Sequence, residues 1–448
     1  VVATAALGLG AAARAHAPRR HDSAQHHDVL WYRPLVARSL DVGIVGAGTA
    51  GSAAALFLAR AGHRVTLYER VEQPGPVGAG ILLQPTGQAV LARLGLLGAI
   101  LERGARVERL RCRTASGRQL FHLAYGDVDP SLFGLGLHRG VLFSTLFGAV
   151  RADARIRVEL GVELDATVRT DGGVFLVETG GRKRGPHELI VVADGAGSRL
   201  RDDAQIRQRV STYPWGALWH VAPDPSRVFD GELFQVVDGC EVMTGFLPTG
   251  LGPDGDAPLV SVFWSLARRS LDAFRAEPIE RWRERIARYE PRAAPFVVDA
   301  GREHELLFAT YRDVVLDRFH DDRLVVLGDA AHATSPQLGQ GANLALFDAM
   351  VLADSLAADE ALAEALGRYS RERLPHVRFY QWASRWLTPF FQGDSRLLAI
   401  ARDVGFPIGA AIGLLRDPMI RTMAGVRRGI VRRSLPLGEL RRLAAQNA

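Results

Sequence analysis

Residues 41–51 read DVGIVGAGTAG, and the fold turns on them. The run from Asp41 to Val45 is short and largely apolar, the pattern of a buried strand. Three glycines follow at fixed spacing. Gly46 permits a tight turn off the strand, Gly48 lets a pyrophosphate approach the backbone, and Gly51 lets the next helix pack closely on the sheet. Ala47, Thr49 and Ala50 fill the turn between them. The alanine-rich run from Ser52 to Ala61 is the helix, and its N-terminus faces the phosphates with unpaired N–H groups. Gly62 ends that helix, His63 to Tyr68 makes a second strand, and Glu69 stands at its end, 23 residues after Gly46. A carboxylate there accepts both hydroxyls of an adenosine ribose and repels a 2′-phosphate. The tightly held dinucleotide is therefore FAD or NAD, with Arg70 the next side chain in reach of it.

Two further strand ends lie far downstream. Leu189 to Ala193 (LIVVA) leads into Asp194-Gly195-Ala196-Gly197-Ser198, then Arg199 and Arg201. Leu324 to Leu327 (LVVL) leads into Gly328-Asp329-Ala330-Ala331-His332. Pro336 and the loop Gly339-Gln340-Gly341-Ala342-Asn343 follow, opening a long helix from Leu344 to Ala358. Asp329 falls where a strand end meets a ligand crevice. The glycine loop offers backbone N–H groups at a second helix N-terminus, suited to a group that becomes anionic.

The set GAGTAG with its terminal Glu69, then ADGAGSRLR, then GDAAH, Pro336 and GQGAN, in this order, resembles the single-component flavoprotein aromatic hydroxylases, the family of para-hydroxybenzoate hydroxylase. The likeness runs from Asp41 to about Arg373. Gly78-Ala79-Gly80-Ile81, Pro85 with the helix Ala89 to Leu94, and Leu137-His138-Arg139 are similar too. The resemblance implies an α/β fold: a discontinuous, Rossmann-like FAD-binding βαβ domain, an inserted β-rich substrate domain and C-terminal helices. It places Glu69 on the adenosine ribose and Gly46, Gly48 and Gly51 at the pyrophosphate. Arg139 would lie near the pyrophosphate and ribityl chain, Asp329 on the ribityl hydroxyls, and residues 339–343 at the pyrimidine edge of the ring. Gly80, Gly328, Asp194 and Gly195 join the cofactor-binding set, the last two as the family's fingerprint for FAD and NAD(P)H handling.

The chemistry so implied is a monooxygenase reaction. NADH or NADPH reduces the flavin, dioxygen adds to give a C4a-hydroperoxyflavin, and an aromatic or polycyclic small molecule is hydroxylated. The protein would supply orientation, dryness and electrostatics, with no metal. A base relaying the proton of a phenol or amine substituent would help. His332, Tyr213, His220 and Arg312 are the candidates, although His332 follows a strand end and has a packing role as its plainer reading. The resemblance sets Pro336 beside flavin and substrate. Trp215, Trp219, Phe234, Met243, Phe246 and Phe263 are available as walls of a ring-binding pocket or as core. An FAD-dependent reductase, dehydrogenase or oxidase on the same fold is the main alternative. A flavin halogenase needs a directing lysine, and the one lysine here, Lys183, falls in a turn from Gly180 to Gly185. A plain NAD-dependent dehydrogenase leaves residues 328–343 unexplained.

The pI of about 9.7 suggests a nucleic-acid surface until the charge is located. From Arg421 onward there are seven arginines and one glutamate, an excess as large as the formal +6 of the whole chain. A neutral body with a basic tail does not describe a nucleic-acid-binding face. The tail reads as a solvated terminus, with weak contact to an anionic membrane surface or another subunit as alternatives. Cys112 and Cys240 have no metal-ligand spacing and read as buried thiols of a cytoplasmic protein, monomeric or homodimeric. No apolar run reaches the length of a membrane span. Residues 1–37 read as a poorly ordered leader or as sequence upstream of the true start. Domains are expected at 38–105, 138–201 and 301–370 (FAD) and at 106–137 and 202–300 (substrate), with a helical region from 371 to 448.

Overall fold

The computed structural model describes residues 38–301, 306–358, 361–429 and 435. The leader and the tail beyond 429, residue 435 apart, lie outside the described residues.

Strand Asp41–Val45 is central to a five-stranded parallel sheet. The order is Leu324–Val326, Leu189–Val192, Asp41–Val45, Arg64–Glu69, Ile156–Leu160. Covered on both faces, these strands are apolar throughout, as buried parallel strands must be. Val42, Ile44, Val191 and Leu324 are all fully buried. Helix Thr49–Ala61 is rich in alanine, so helix Gly341–Ala358 packs closely beside it. That second helix is, among the described residues, long and apolar enough to cross a membrane by composition. Its burial, 72% of the window, marks it as a core helix.

A nine-stranded mixed sheet forms the other lobe. Its path runs Leu307–Leu316, Gln208–Pro223, Pro258–Ala267, Val242–Leu251, Gly231–Asp238, Ala105–Thr114, Gly134–His138, Gly80–Leu83, and Gln119–Ala124 pairs with Ala105–Thr114. Ala105–Thr114 and Gln119–Ala124 form a hairpin around Ser116-Gly117, with Gly117 at φ 91°. The expected borders need correction. Gly80–Leu83 and Leu307–Leu316, read as cofactor-domain sequence, are strands of this large sheet. Residues Pro291–Val297 form a 3-10 turn, because Pro291 and Pro295 cannot donate to a ladder.

Alternation along the strands divides the large sheet into two faces. Phe234, Phe246, Val262, Trp264 and Leu218 point outward to a core closed by Trp282 and Ile286 of helix Ile279–Tyr289. Ser261 and Phe263 point the other way, where Ser261 Oγ accepts the N–H of Gly80, in the edge strand of the same sheet, at 2.8 Å. Helix Leu362–Phe391 then runs along the glycine-loop helix, followed by helices Arg396–Ala411 and Gly413–Met423.

Candidate active site

The first turn is built as its glycines require. Gly46 has φ 99°, and a Cβ there would come within 2.5 Å of the Ala193 carbonyl oxygen. A Cβ on Gly51 would collide with the Gly46 carbonyl oxygen. Gly48 differs: its φ is −69° and a Cβ would point into open space, so the backbone is bare where a pyrophosphate would come. No side chain caps the helix at Gly48. Thr49 and Ala50 open the helix itself. Glu69 reaches back to the turn, Oε2 accepting the Ala47 N–H at 2.8 Å and Oε1 the Val71 N–H at 3.0 Å. Arg70 is exposed beside it.

The chain-distant half of the site meets this turn directly. Gly328, at φ 58°, packs against Ala50, where a Cβ would come within 2.8 Å of the Ala50 methyl. Asp329 is exposed, and its Oδ1 lies 3.8 Å from where a Gly341 Cβ would stand, so the carboxylate faces the glycine loop. Gly339 is left-handed at φ 60° and turns the chain toward Gly341 and Ala342. Asn343 is a clamp and not an open ligand. Its Oδ1 accepts the Gln84 N–H at 2.8 Å, and its Nδ2 donates to the carbonyls of Leu82 (3.1 Å) and Gly339 (2.9 Å). Gly80 also leaves the cofactor set as a free donor, because its N–H is taken by Ser261. Arg139 is exposed at the start of helix Arg139–Ala152, its side chain lying along Gly78, where φ is 117°.

At the neighbouring strand end, Asp194 Oδ1 is buried without a partner among the described residues. Burial pushes the Asp194 pKa up, while Ser198 and Arg201 oppose the shift. Gly195 has φ 87° with open space about it. Arg312 is exposed, and its guanidinium reaches toward the Ala196 carbonyl at 3.4 Å. Tyr213 lies in the bulge after Thr212, which pairs with Arg312, and its hydroxyl is enclosed without a partner among the described residues. Pro336 is exposed at the start of the turn leading to the glycine loop.

Two of the candidate bases are corrected. His332 is 2% exposed, and its Nε2 stands 2.6 Å from Asp348 Oδ2. Asp348 also takes the Gly328 N–H at 2.9 Å and Arg373 Nε at 2.7 Å. Burial alone would raise the Asp348 pKa. The facing His332 and Arg373 outweigh it and hold the carboxyl at about 2, so it can only accept. Arg373 passes a further hydrogen bond to His376 Nδ1, and His376 Nε2 donates to the Gly425 carbonyl. Burial, then Arg373, hold His376 well below the usual histidine range. This closed network fixes the left-handed Gly328 and thereby aims Asp329; it leaves His332 no path to a substrate. His220 fails for a different reason: its Nε2 bonds the Phe296 carbonyl at 3.1 Å, on the outer face of the large sheet. Phe234 and Phe246 are core on that outer face, whereas Trp219 and Phe263, with centroids 5.3 Å apart, stand on the inner one. Trp215 and Met243 are buried in the sheet.

The Asp348 network was missed in the sequence, although a lone acid in the apolar run Leu344 to Ala353 was a signal, since a buried charge needs partners. Tyr311 was missed as well. It accepts the Trp219 Nε1–H at 3.3 Å, and burial pushes its hydroxyl up to about 12.

A bare glycine turn, an acid beside it, and an exposed Asp329 before a second glycine loop define a dinucleotide-binding flavoprotein, and the residues present fit FAD. Residues 39–381 match the family model described as FAD binding domain. The chain belongs to the FAD-binding aromatic hydroxylases, the para-hydroxybenzoate hydroxylase-like class of flavoprotein monooxygenases. It is 32% identical to a 3-amino-4-hydroxybenzoate 2-monooxygenase of Streptomyces platensis, covering 79% of this chain and 87% of the relative. A probable 2-heptyl-3-hydroxy-4(1H)-quinolone synthase of Rhodococcus erythropolis is 28% identical over 89% of this chain and 96% of its own. A Pseudomonas aeruginosa structure of PqsL in complex with 2-aminobenzoylacetate superposes with a TM-score of 0.69 at 26% identity, covering 81% of this chain and 99% of that one.

Proposed function

We propose that this protein uses NADH or NADPH and dioxygen to hydroxylate an electron-rich aromatic small molecule that carries an amino group or a ring nitrogen. The observation that carries the reading is the meeting of two chain-distant halves: Gly328 against Ala50 sets Asp329 and the glycine loop beside the pyrophosphate turn. Nitrogen on or in the ring is common to the molecules named for the three relatives above, and it makes the ring more nucleophilic. When bound and reduced, the flavin supplies dioxygen activation and transfer of one oxygen atom.

The residues themselves bind, orient and exclude water. Glu69 and Asp329 hold the two ends of the dinucleotide. Trp219 and Phe263 offer an apolar wall on the inner sheet face. Tyr213, with its enclosed hydroxyl, is the group we assign to hydrogen-bonding the substrate's substituent, and Arg312 flanks it with positive charge. The test is coupled turnover. FAD-loaded protein is screened with aminohydroxybenzoates and 4-quinolones, following NAD(P)H oxidation, oxygen uptake and the mass of the product under isotopically labelled dioxygen. One labelled oxygen atom in an aromatic product supports the proposal. Stoichiometric peroxide with every ring tested, and no labelled product, establishes the oxidase reading instead.

A further inference from the structure

We propose that the outer face of helix Arg396–Ala411, together with the end of helix Leu362–Phe391, is a docking surface for an anionic lipid bilayer. Of the thirteen large hydrophobic residues exposed among the described ones, eight fall between Trp382 and Leu415. Leu397, Ile400, Val404 and Ile408 follow one another at intervals of three and four, so they form a single stripe along the helix. Leu397 is 78% exposed and Ile400 62%.

This stripe is not the face by which the helix is held. Arg402 is wholly buried on the opposite side, donating to the carbonyls of Gly239 at 2.7 Å and Phe390 at 2.9 Å. Phe406 packs there against Phe121 and Phe391. The helix is thus fastened to the body with its apolar side turned outward. The preceding helix adds Trp382 and Trp386, stacked at 6.3 Å and both about half exposed, and Trp386 meets Phe390 at 5.2 Å. Phe390 in turn touches Phe406 at 5.9 Å, so the end of that helix is fastened to the held side of this one and adds its two exposed tryptophans nearby.

Tryptophans with one apolar body and one polar N–H belong at a membrane–water boundary, and a 16-residue helix lying in that plane buries its apolar side among the acyl chains. Charge selects the occupant. Arg396 is exposed beside Leu397, Arg416 (paired with Asp127 at 3.7 Å) and Arg421 lie on the next helix, and the sequence from Arg421 onward carries seven arginines against one glutamate. The nearby acids are largely engaged: Asp394 with Arg269 and Asp403 with Arg402, with Asp417 exposed. A second copy docking through the same face would bring like-charged arginines together, while an anionic bilayer gains from them.

The experiment is flotation of the FAD-loaded full chain with vesicles of mixed phosphatidylcholine and phosphatidylglycerol, against vesicles of phosphatidylcholine alone. The protein is expected to float with the anionic vesicles, less so at high salt, with a blue shift of tryptophan emission. The double variant Ile400→Glu/Ile408→Glu, and separately Trp386→Ser, should cut partitioning roughly tenfold or more with flavin content and melting temperature unchanged. Absence of flotation overturns the proposal. So does flotation unaffected by both variants, which would leave the arginines alone responsible. Light scattering that finds a wild-type dimer, made monomeric by the variants and indifferent to vesicles, assigns the face to a second copy and also overturns it.

Discussion

Asp329 and His332 belong to one four-residue helix, yet the first side chain is exposed and the second is sealed against Asp348. Asp329 has nothing to lose in the absence of cofactor, so Asp329→Ala should leave the melting temperature of the apoprotein unchanged. If Asp329 bonds the cofactor as proposed, the bound form loses a charge-assisted hydrogen bond of about 1.5–3 kcal/mol, and the FAD dissociation constant should rise by about 10- to 150-fold in a flavin titration. Asp348→Ala should act first on the fold. It strands Arg373 as a buried cation and should lower apoprotein stability by about 3–5 kcal/mol in urea unfolding, whether or not FAD is present. His63 gives a pH dependence. It is buried, its Nδ1 accepting the Leu40 N–H at 3.1 Å, and burial pulls its pKa down to about 4. The unfolded chain takes up a proton below about pH 6.5 and the folded one does not. Stability from this site is therefore full above that pH and is lost as pH falls toward 4. His63→Gln keeps an acceptor without the titration, and should reduce the drop in urea midpoint between about pH 7 and about pH 5.

At the scale of the element, the first strand–turn–helix unit separates folding from binding at neighbouring glycines. Gly51→Ala forces a methyl onto the Gly46 carbonyl and should abolish soluble protein, since neither backbone can move without parting helix from sheet. Gly48→Ala meets no such obstacle: φ is −69° and the space is open. That variant should fold with an unchanged apoprotein melting temperature and bind FAD roughly tenfold or more weakly, because the methyl occupies the pyrophosphate's approach. A Gly48→Ala protein as yellow as the wild type would show that the dinucleotide runs elsewhere. The glycine loop obeys the same logic in a second element, with left-handed Gly339 turning the chain and Asn343 stapling the turn to Leu82 and Gln84.

At the scale of the whole molecule, the large sheet is tied to its own edge strand by a polar contact. Gly80 donates to Ser261, which also accepts from Thr249 at 2.8 Å, and a Cβ on Gly80 would come within 2.6 Å of the serine oxygen. Ser261→Ala leaves a buried N–H without an acceptor and should cost about 1–3 kcal/mol of stability, measured equally in apo and FAD-loaded protein. A loss confined to the FAD-loaded form would mean that Ser261 serves the cofactor and not the sheet. Leu307–Leu316 carries Arg312 from the large sheet to the turn after the small-sheet strand Leu189–Val192, while Tyr311 stays with Trp219 inside the large sheet, so the site draws on both sheets.

Local sequence was enough for the pyrophosphate turn, Glu69 and Asp329. Each stands at or just after a strand end, and Gly46 and Gly328 take a positive φ there, so a few consecutive residues announce the position. The direction of the remaining side chains was settled by tertiary structure. His332 and Asp348 stand 16 residues apart, and Arg373 lies on another helix, so no local pattern announces their closed network. His220 and Trp219 are adjacent, and a bulge between Thr212 and Gly216 resets the alternation that decides which of them faces inward. Aromatic residues read alike on either face of a sheet. Only the layers that cover each face, helix Ile279–Tyr289 outside and the cofactor lobe inside, divide core from candidate pocket, because burial belongs to the packed sheet and not to the strand.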